Sequence, residues 1–250
     1  MRSAHFHACC RALMGLFLVS LLVVVGLSAC FNPFNPKVSG TGVTEPAPIP
    51  NSPTNLLRLL EWCYMNRAIF EYRELFDNDY RFVFGTLDPD GNAYRANPWT
   101  REDEVESTTH LFQGGGANQP AANSIVILLD RNFRVGDDPN HPGRGHKLIR
   151  TSVTIRIVAD ETQREVQGYA NFFLVRGDSA VIPAELLERG FEPDSNRWYI
   201  LRHEDDTLPP DQAIASAPMS HAAAVPATPA AATVREYLVG SWGSVKYAYR

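Results

Sequence analysis

Cysteine is scarce in this chain: four among 250 residues, at positions 9, 10, 30 and 63. A small fold stapled by several disulfides is therefore excluded. Cationic charge is scarce as well, with 23 Lys+Arg against 28 Asp+Glu and a net charge of -5. That balance argues against nucleic acid as a partner. Long apolar runs are also lacking. The N-terminal one, residues 12–27, has 16 residues, which as a helix would span about 24 Å, short of the roughly 20 residues that cross a bilayer. No catalytic or ligand-binding signature stands out in residues 31–250.

What is present is an address. Residues 1–11 carry Arg2, His5, His7 and Arg11 and no acid, and the apolar run follows directly. That is the layout of a secretory signal. Its last residues, Leu27-Ser28-Ala29-Cys30, resemble the bacterial lipoprotein signal, in which an aliphatic residue and two small ones precede a cysteine. The resemblance implies that Cys30 receives a diacylglycerol, that cleavage falls before it, and that the membrane is a partner through this lipid. One buried acyl chain gives marginal attachment at about 0.8 kcal/mol per CH₂, so the two or three chains of such proteins would hold it durably. Phe31 follows where an Asp commonly marks inner-membrane retention, so an outer-membrane destination in a bacterial cell envelope is favoured. Loss of residues 1–29 removes two arginines and leaves 21 Lys+Arg against 28 Asp+Glu, a net of -7. Cys63 is then the lone free thiol. It lies in a helical pattern and reads as core packing rather than as a nucleophile.

Residues 30–51 carry five prolines, two glycines and no apolar period, and read as the lipidated cysteine and a flexible tether. A folded domain is expected over 52–205. It opens with Ser52 as N-cap and Pro53 in the first helical position. Leu56, Leu60 and Cys63 recur at i, i+4 and i+7, and Ile69, Tyr72, Leu75 and Phe76 continue after a break near Asn66, so two helices are predicted. Asp77-Asn78-Asp79 should stop the second, Tyr80–Phe84 alternates as a strand, and residues 85–98 read as a loop. Thr100-Arg101-Glu102-Asp103 predicts a capping box and a third helix that buries Val105, Thr109 and Phe112, ending at Gly114-Gly115-Gly116. The period then changes to two. Strands are expected over 124–134, 147–158, 165–176 and 197–204, joined as antiparallel hairpins, with a helical turn at 183–187. Residues 206–234, rich in Ala and Pro, read as a disordered insertion. Residues 235–250 are apolar enough to return to the domain.

This order of helices, strand, helix and antiparallel meander is an α+β pattern. It resembles the nuclear transport factor 2-like (SnoaL-like) cone fold, in which N-terminal helices pack on a curved antiparallel sheet. The residues that carry the resemblance are Leu75-Phe76-Asp77-Asn78-Asp79-Tyr80-Arg81-Phe82 and Trp198-Tyr199-Ile200-Leu201-Arg202. The chain also resembles bacterial lipoproteins that open with Asn-Pro-Phe-Asn-Pro after the lipidated cysteine, as residues 32–36 do. These end on Trp-Gly-x-aliphatic-Lys, as residues 242–246 do.

Enzymes of the cone fold work inside the cone, so the resemblance makes Tyr64, Asp79 and His110 the candidate catalytic residues. Each also has a plain structural reading: Tyr64 as a wall residue, Asp79 as a turn cap, His110 as a partly exposed helix residue. The positions expected to face inward, Phe82, Phe84, Val153, Ile155, Phe172 and Leu174, are apolar, and no His/Asp, Ser/His or metal-ligand group is expected to converge on them. His141 and His146 share a loop with Asp137 and Asp138, but their spacing matches no tetrahedral zinc pattern. With Gly136, Gly143 and Gly145 the stretch reads as a solvated hairpin tip. No metal site and no cofactor are expected. The sequence thus predicts a lipid-anchored protein with a non-catalytic binding or assembly domain, whose ligand would be small and apolar. The alternative is a small-molecule isomerase, dehydratase or hydrolase. The outer sheet face is where a homodimer would form, and the sequence does not separate monomer from dimer.

Overall fold

Residues 45–117, 119–178, 181–207 and 236–250 are described by the structure, a computed structural model. The expected signal peptide, Cys30, most of the expected tether and residues 208–234 of the expected insertion lie outside them. Helix α1 (Pro53–Asn66) starts as its residues dictate, with the Ser52 side chain accepting the Asn55 N–H at 3.2 Å and Pro53 at the first position. Leu56, Leu57, Leu60, Cys63 and Tyr64 form its buried face. It stops at Arg67, which adopts the left-handed φ of 51° of a helix C-cap. Helix α2 (Ile69–Arg73) follows, and β1 (Phe76–Val83) begins ahead of the expected stop at Asp77-Asn78-Asp79. The reason is Asp77, whose side chain accepts the Asp79 N–H at 2.6 Å and turns the chain within the strand.

A 3₁₀ turn (Pro89–Tyr94) occupies the expected loop, and β2 (Trp99–Thr100) pairs with β1. The capping box of Thr100 and Asp103 is present at the start of α3 (Arg101–Thr109). The face that α3 buries differs from the expected one. Glu104, Ser107 and Thr108 point inward while Val105 and Thr109 are only half-buried. A π-helical turn (His110–Gly114) then continues it and buries Leu111 and Phe112.

The rest is the meander: β3 (Ser124–Leu129), β4 (Val135–Asp137), β5 (Lys147–Ala159), β6 (Thr162–Arg176), helix α4 (Ala184–Glu188), β7 (Trp198–Thr207), β8 (Glu236–Gly240) and helix α5 (Trp242–Ala248). The sheet order is β2-β1-β7-β6-β5-β3. β3 and β4 share one edge of β5, and β7 and β8 share one edge of β6. The pairing is antiparallel except β1 with β7 and β6 with β8. Gly168, at φ 144°, stands where β6 changes partner from β8 to β7. Residues 206 and 207 extend β7 rather than begin an insertion. At the other end, residues 47–51 belong to the compact unit that runs from Ala47, because the Pro50 carbonyl accepts the Trp198 N–H at 2.9 Å.

The architecture is therefore the α+β arrangement expected from the sequence, with α1, α3 and α5 packed on one face of a curved, mainly antiparallel sheet and α4 against Val175 and Tyr199. Register shifts interrupt the β1–β7 ladder between Phe76 and Arg81 and the β6–β7 ladder at Leu201. The core runs from α1 to the sheet through Leu57, Tyr64, Phe112, Ile127, Ile155 and Phe172, each no more than 3% exposed. Fully burying an aliphatic side chain contributes about 1.5–3 kcal/mol. Among the described residues no helix is long and apolar enough to cross a membrane.

Candidate functional site

The chain's own C-terminal helix enters the interior between the helices and the sheet. Ser241 caps α5 by accepting the Ser244 N–H at 2.8 Å, and its hydroxyl donates to buried Asp88. Trp242, 1% exposed, then lies against Tyr64, Phe172 and His203 with ring centroids at 5.9, 6.1 and 4.4 Å. Its indole N–H donates to the Tyr64 hydroxyl at 3.2 Å. Tyr64 also meets Tyr72 and Phe112 edge-on at 5.6 and 5.4 Å. Edge-to-face pairs of this kind each add about 0.5–1.5 kcal/mol beyond burial. Tyr64 is thus a wall of the core.

Ionisable groups do converge on this interior, contrary to the expectation from sequence. Lys246, on the face of α5 that carries Trp242 and Val245, forms a salt bridge with Glu104 of α3, and both are nearly inaccessible. Glu104 also accepts from the Tyr72 hydroxyl and, at 3.0 Å, from the Trp99 indole. The Lys246 ammonium lies 4.8 Å from the centroid of the Phe82 ring. Three neighbours, Tyr72, Trp99 and Phe82, therefore solvate one buried ion pair.

His203 stacks on Phe172 at 4.4 Å and touches Phe82 edge-on at 4.8 Å. Burial, with the nearby Lys246 charge, holds its pKa well below the ordinary imidazole value. It is a neutral ring in an aromatic sandwich. Two residues on, Asp205 accepts from the Gly243 N–H at 2.7 Å and the Thr207 N–H at 3.0 Å. Burial pushes its carboxyl up to about 6, against the pull of these bonds. The Thr207 hydroxyl in turn accepts the Trp242 N–H at 2.8 Å. The inner face of β7 therefore ties down the start of α5. Sequence reasoning missed Glu104, His203, Asp205 and Lys246. The signals were the alternation of His203, Asp205 and Thr207 and the helical spacing of Trp242, Val245, Lys246 and Tyr249.

The three sequence candidates do not come together. Asp79 is exposed, and the turn cap at that point is Asp77, whose carboxyl burial raises to about 6. His110, half-buried at the start of the π-helical turn, donates from Nδ1 to the Tyr249 carbonyl at 2.8 Å. Cys63 is fully buried, and burial with the charges of Glu71 and Glu74 pushes its thiol far above the ordinary range. It is core.

Among the described residues, two of the clefts outside the interior carry charged side chains of note. One, of about 540 Å³, borders β1 and the 3₁₀ turn and includes Arg81, Arg95 and the stacked rings of Phe84 and Tyr94. The other, of about 370 Å³, is lined by Asp77, Asp79, Asp178, Arg144, Arg176 and His146. His146 ends the β4–β5 connection, which is less solvated than its composition implies. Asp138 is 1% exposed and accepts from His141 Nδ1 at 2.7 Å and from the Asn140 N–H at 2.8 Å. Asp138, His141 and His146 place one ligand atom each within 4.8 Å of one another.

No protein-family model matches the chain. Neither does any curated protein. Solved structures give a distant likeness. A conserved protein from Planctomyces limnophilus is 11% identical over 62% of this chain and 92% of its own, with a TM-score of 0.41. A type 2 hexachlorocyclohexane dehydrochlorinase (LinA) is 7% identical over 61% and 79%, with a TM-score of 0.39. ActVI-ORFA from Streptomyces coelicolor is 12% identical over 62% and 92%, with a TM-score of 0.37.

Proposed function

We propose that this is a lipid-anchored protein of the bacterial cell envelope whose cone domain is a non-catalytic binding or assembly module. Support for the anchor is the signal ending in Leu27-Ser28-Ala29-Cys30, with Phe31 favouring the outer membrane. The observation that carries the non-catalytic part is the filling of the cone by Trp242, where a substrate of a cone enzyme would sit. Copies pair through the outer sheet face, where Val126, Leu128 and Tyr169 are exposed. A small apolar ligand would be recognised by shape and apolar contact.

A second reading, a small-molecule isomerase, dehydratase or hydrolase, is favoured by one observation: Glu104, His203 and Asp205 are ionisable groups held dry beside the interior. It requires α5 to leave the cone. Complementation of a deletion strain separates the two. Tyr64→Phe, Asp79→Asn, His110→Gln and His203→Gln should each keep the cellular role in the module reading. Loss of the role with an unchanged melting temperature would make that residue catalytic or ligand-binding and put the enzyme first. The anchor is tested separately by Cys30→Ala, which should abolish the lipid mass and detergent partitioning. Equal processing and equal membrane retention of parent and variant, with no lipid mass in either, would sink it.

A further inference from the structure

The β4–β5 connection brings together two imidazoles and a carboxylate that the interior does not use. Its ends are pinned by the β4–β5 ladder, Asp137 opposite Lys147, and by the Asp138 N–H, which donates to the His146 carbonyl at 3.1 Å. Between them Gly143 and Gly145 adopt φ of 78° and 75°, left-handed values that cost glycine nothing. They turn the chain back so that the His146 ring lies 4.8 Å from the His141 ring.

The Asp138–His141 hydrogen bond explains why those two side chains meet. It leaves His146 unexplained. The Nδ1 of His146 is buried and has no hydrogen-bond partner, although buried polar atoms in native proteins are nearly always paired. Packing a second imidazole beside the first with an orphaned nitrogen has a cost, and a shared cation removes it.

We propose that Asp138, His141 and His146 bind a divalent transition metal of the zinc class. Two nitrogens and one oxygen suit zinc and its neighbours rather than magnesium or calcium, which take all-oxygen shells. In a tetrahedral site with metal–ligand bonds of about 2.0–2.1 Å the ligand atoms lie about 3.3 Å apart. The present separations include 2.7 Å between Asp138 Oδ2 and His141 Nδ1 and none exceeds 4.8 Å, and His141, whose side chain is 35% exposed, has room to rotate toward that spacing. Asp138 is held in place by the Asn140 N–H and needs no movement. Three protein ligands leave a coordination position for water or for a group bound in the adjoining cleft, which His146 lines together with Arg144 and Arg176.

The test is calorimetric titration of the full-length chain, stripped with a chelator, with zinc chloride, repeated on His141→Ala and His146→Ala. The expected result is one zinc per chain, weakened at least about tenfold in each variant, because even outer-shell partners of a metal commonly contribute 10–100-fold. Melting curves of the metal-free proteins check folding. Should His146→Ala melt lower, His141→Ala, whose side chain is partly exposed, decides the matter. Cobalt(II) in place of zinc should give visible absorption that both variants lose. Absence of stoichiometric binding, or zinc bound equally by parent and His141→Ala, would overturn the assignment.

Discussion

Lys246 shows what a single residue can decide here. It is 3% exposed and its ammonium meets Glu104, which is 1% exposed. Removing one partner of such a pair leaves the other charge buried and unpaired, at a cost of about 3–5 kcal/mol, whereas replacing both by apolar groups of similar shape is often neutral. Lys246→Met should therefore lower the unfolding free energy by about 3–5 kcal/mol in urea titrations, and Lys246→Met with Glu104→Leu should recover part of that loss. His203 makes a pH-dependent prediction. Its folded pKa is depressed, so its stabilising contribution is present above the unfolded value of about 6.5 and is lost as pH falls below it, because only the unfolded chain takes the proton there. Against His203→Phe, the parent should lose stability below pH 6.5 at up to about 1.4 kcal/mol per pH unit. Asp205 and Asp77 act in the opposite sense. Their carboxyls are raised to about 6, so the folded chain binds protons first as pH falls through that value. The comparison with His203→Phe cancels them, since both proteins carry both carboxyls. An equal pH profile for the two proteins would show that His203 is not held neutral.

At the scale of elements, the sequence was most legible where one period ran uninterrupted. The alternation from Ile149 to Ile157 is the buried face of β5, and the spacing of Leu56, Leu60 and Cys63 is that of α1. Caps were legible for the same local reason: Ser52 and Thr100 bond backbone groups three residues away. Helix α5 was not legible as an element. Lys246 breaks its apolar face at the i+4 position from Trp242, and only the distant Glu104 makes that position a core one. The inward turn of α3 was hidden likewise, because acids in a first helical turn are ordinarily solvated, whereas Glu104 here accepts from Tyr72, Trp99 and Lys246. The β4–β5 connection has no period at all, so the meeting of Asp138, His141 and His146 depends on backbone turns that composition does not place. Trp242 anchors α5, and its loss tests the element. Trp242→Ala should cost about 3–5 kcal/mol by chemical denaturation. It should also open the cone to a small apolar fluorescent probe, which the parent excludes. Probe binding equal in both proteins would show that the interior is not closed by α5.

For the whole molecule, the question is how a domain filled on its inner face would associate. The inner surfaces of β3, β5 and β6 are consumed by the core through Ile127, Ile155 and Phe172. The outer surface is mixed. Val126 and Leu128 are 45% and 57% exposed and lie opposite Arg156 and Thr154 of β5. Tyr169, 50% exposed, carries the Arg150 guanidinium at 4.8 Å from its ring centroid. A symmetric pair would place the same patch on both copies, so one substitution acts twice at the interface. Stable pairs bury about 1,200–2,000 Å² in total, which needs more of the outer face than these three side chains alone. Leu128→Asp adds a carboxylate to each copy at a position that is already solvated in the single domain. It should convert a dimer to a monomer in analytical ultracentrifugation at micromolar concentrations while leaving the melting temperature of dilute protein unchanged. A parent chain that sediments as a monomer throughout that range would exclude pairing through this face and leave the proposed lipid anchor as the means of bringing copies together.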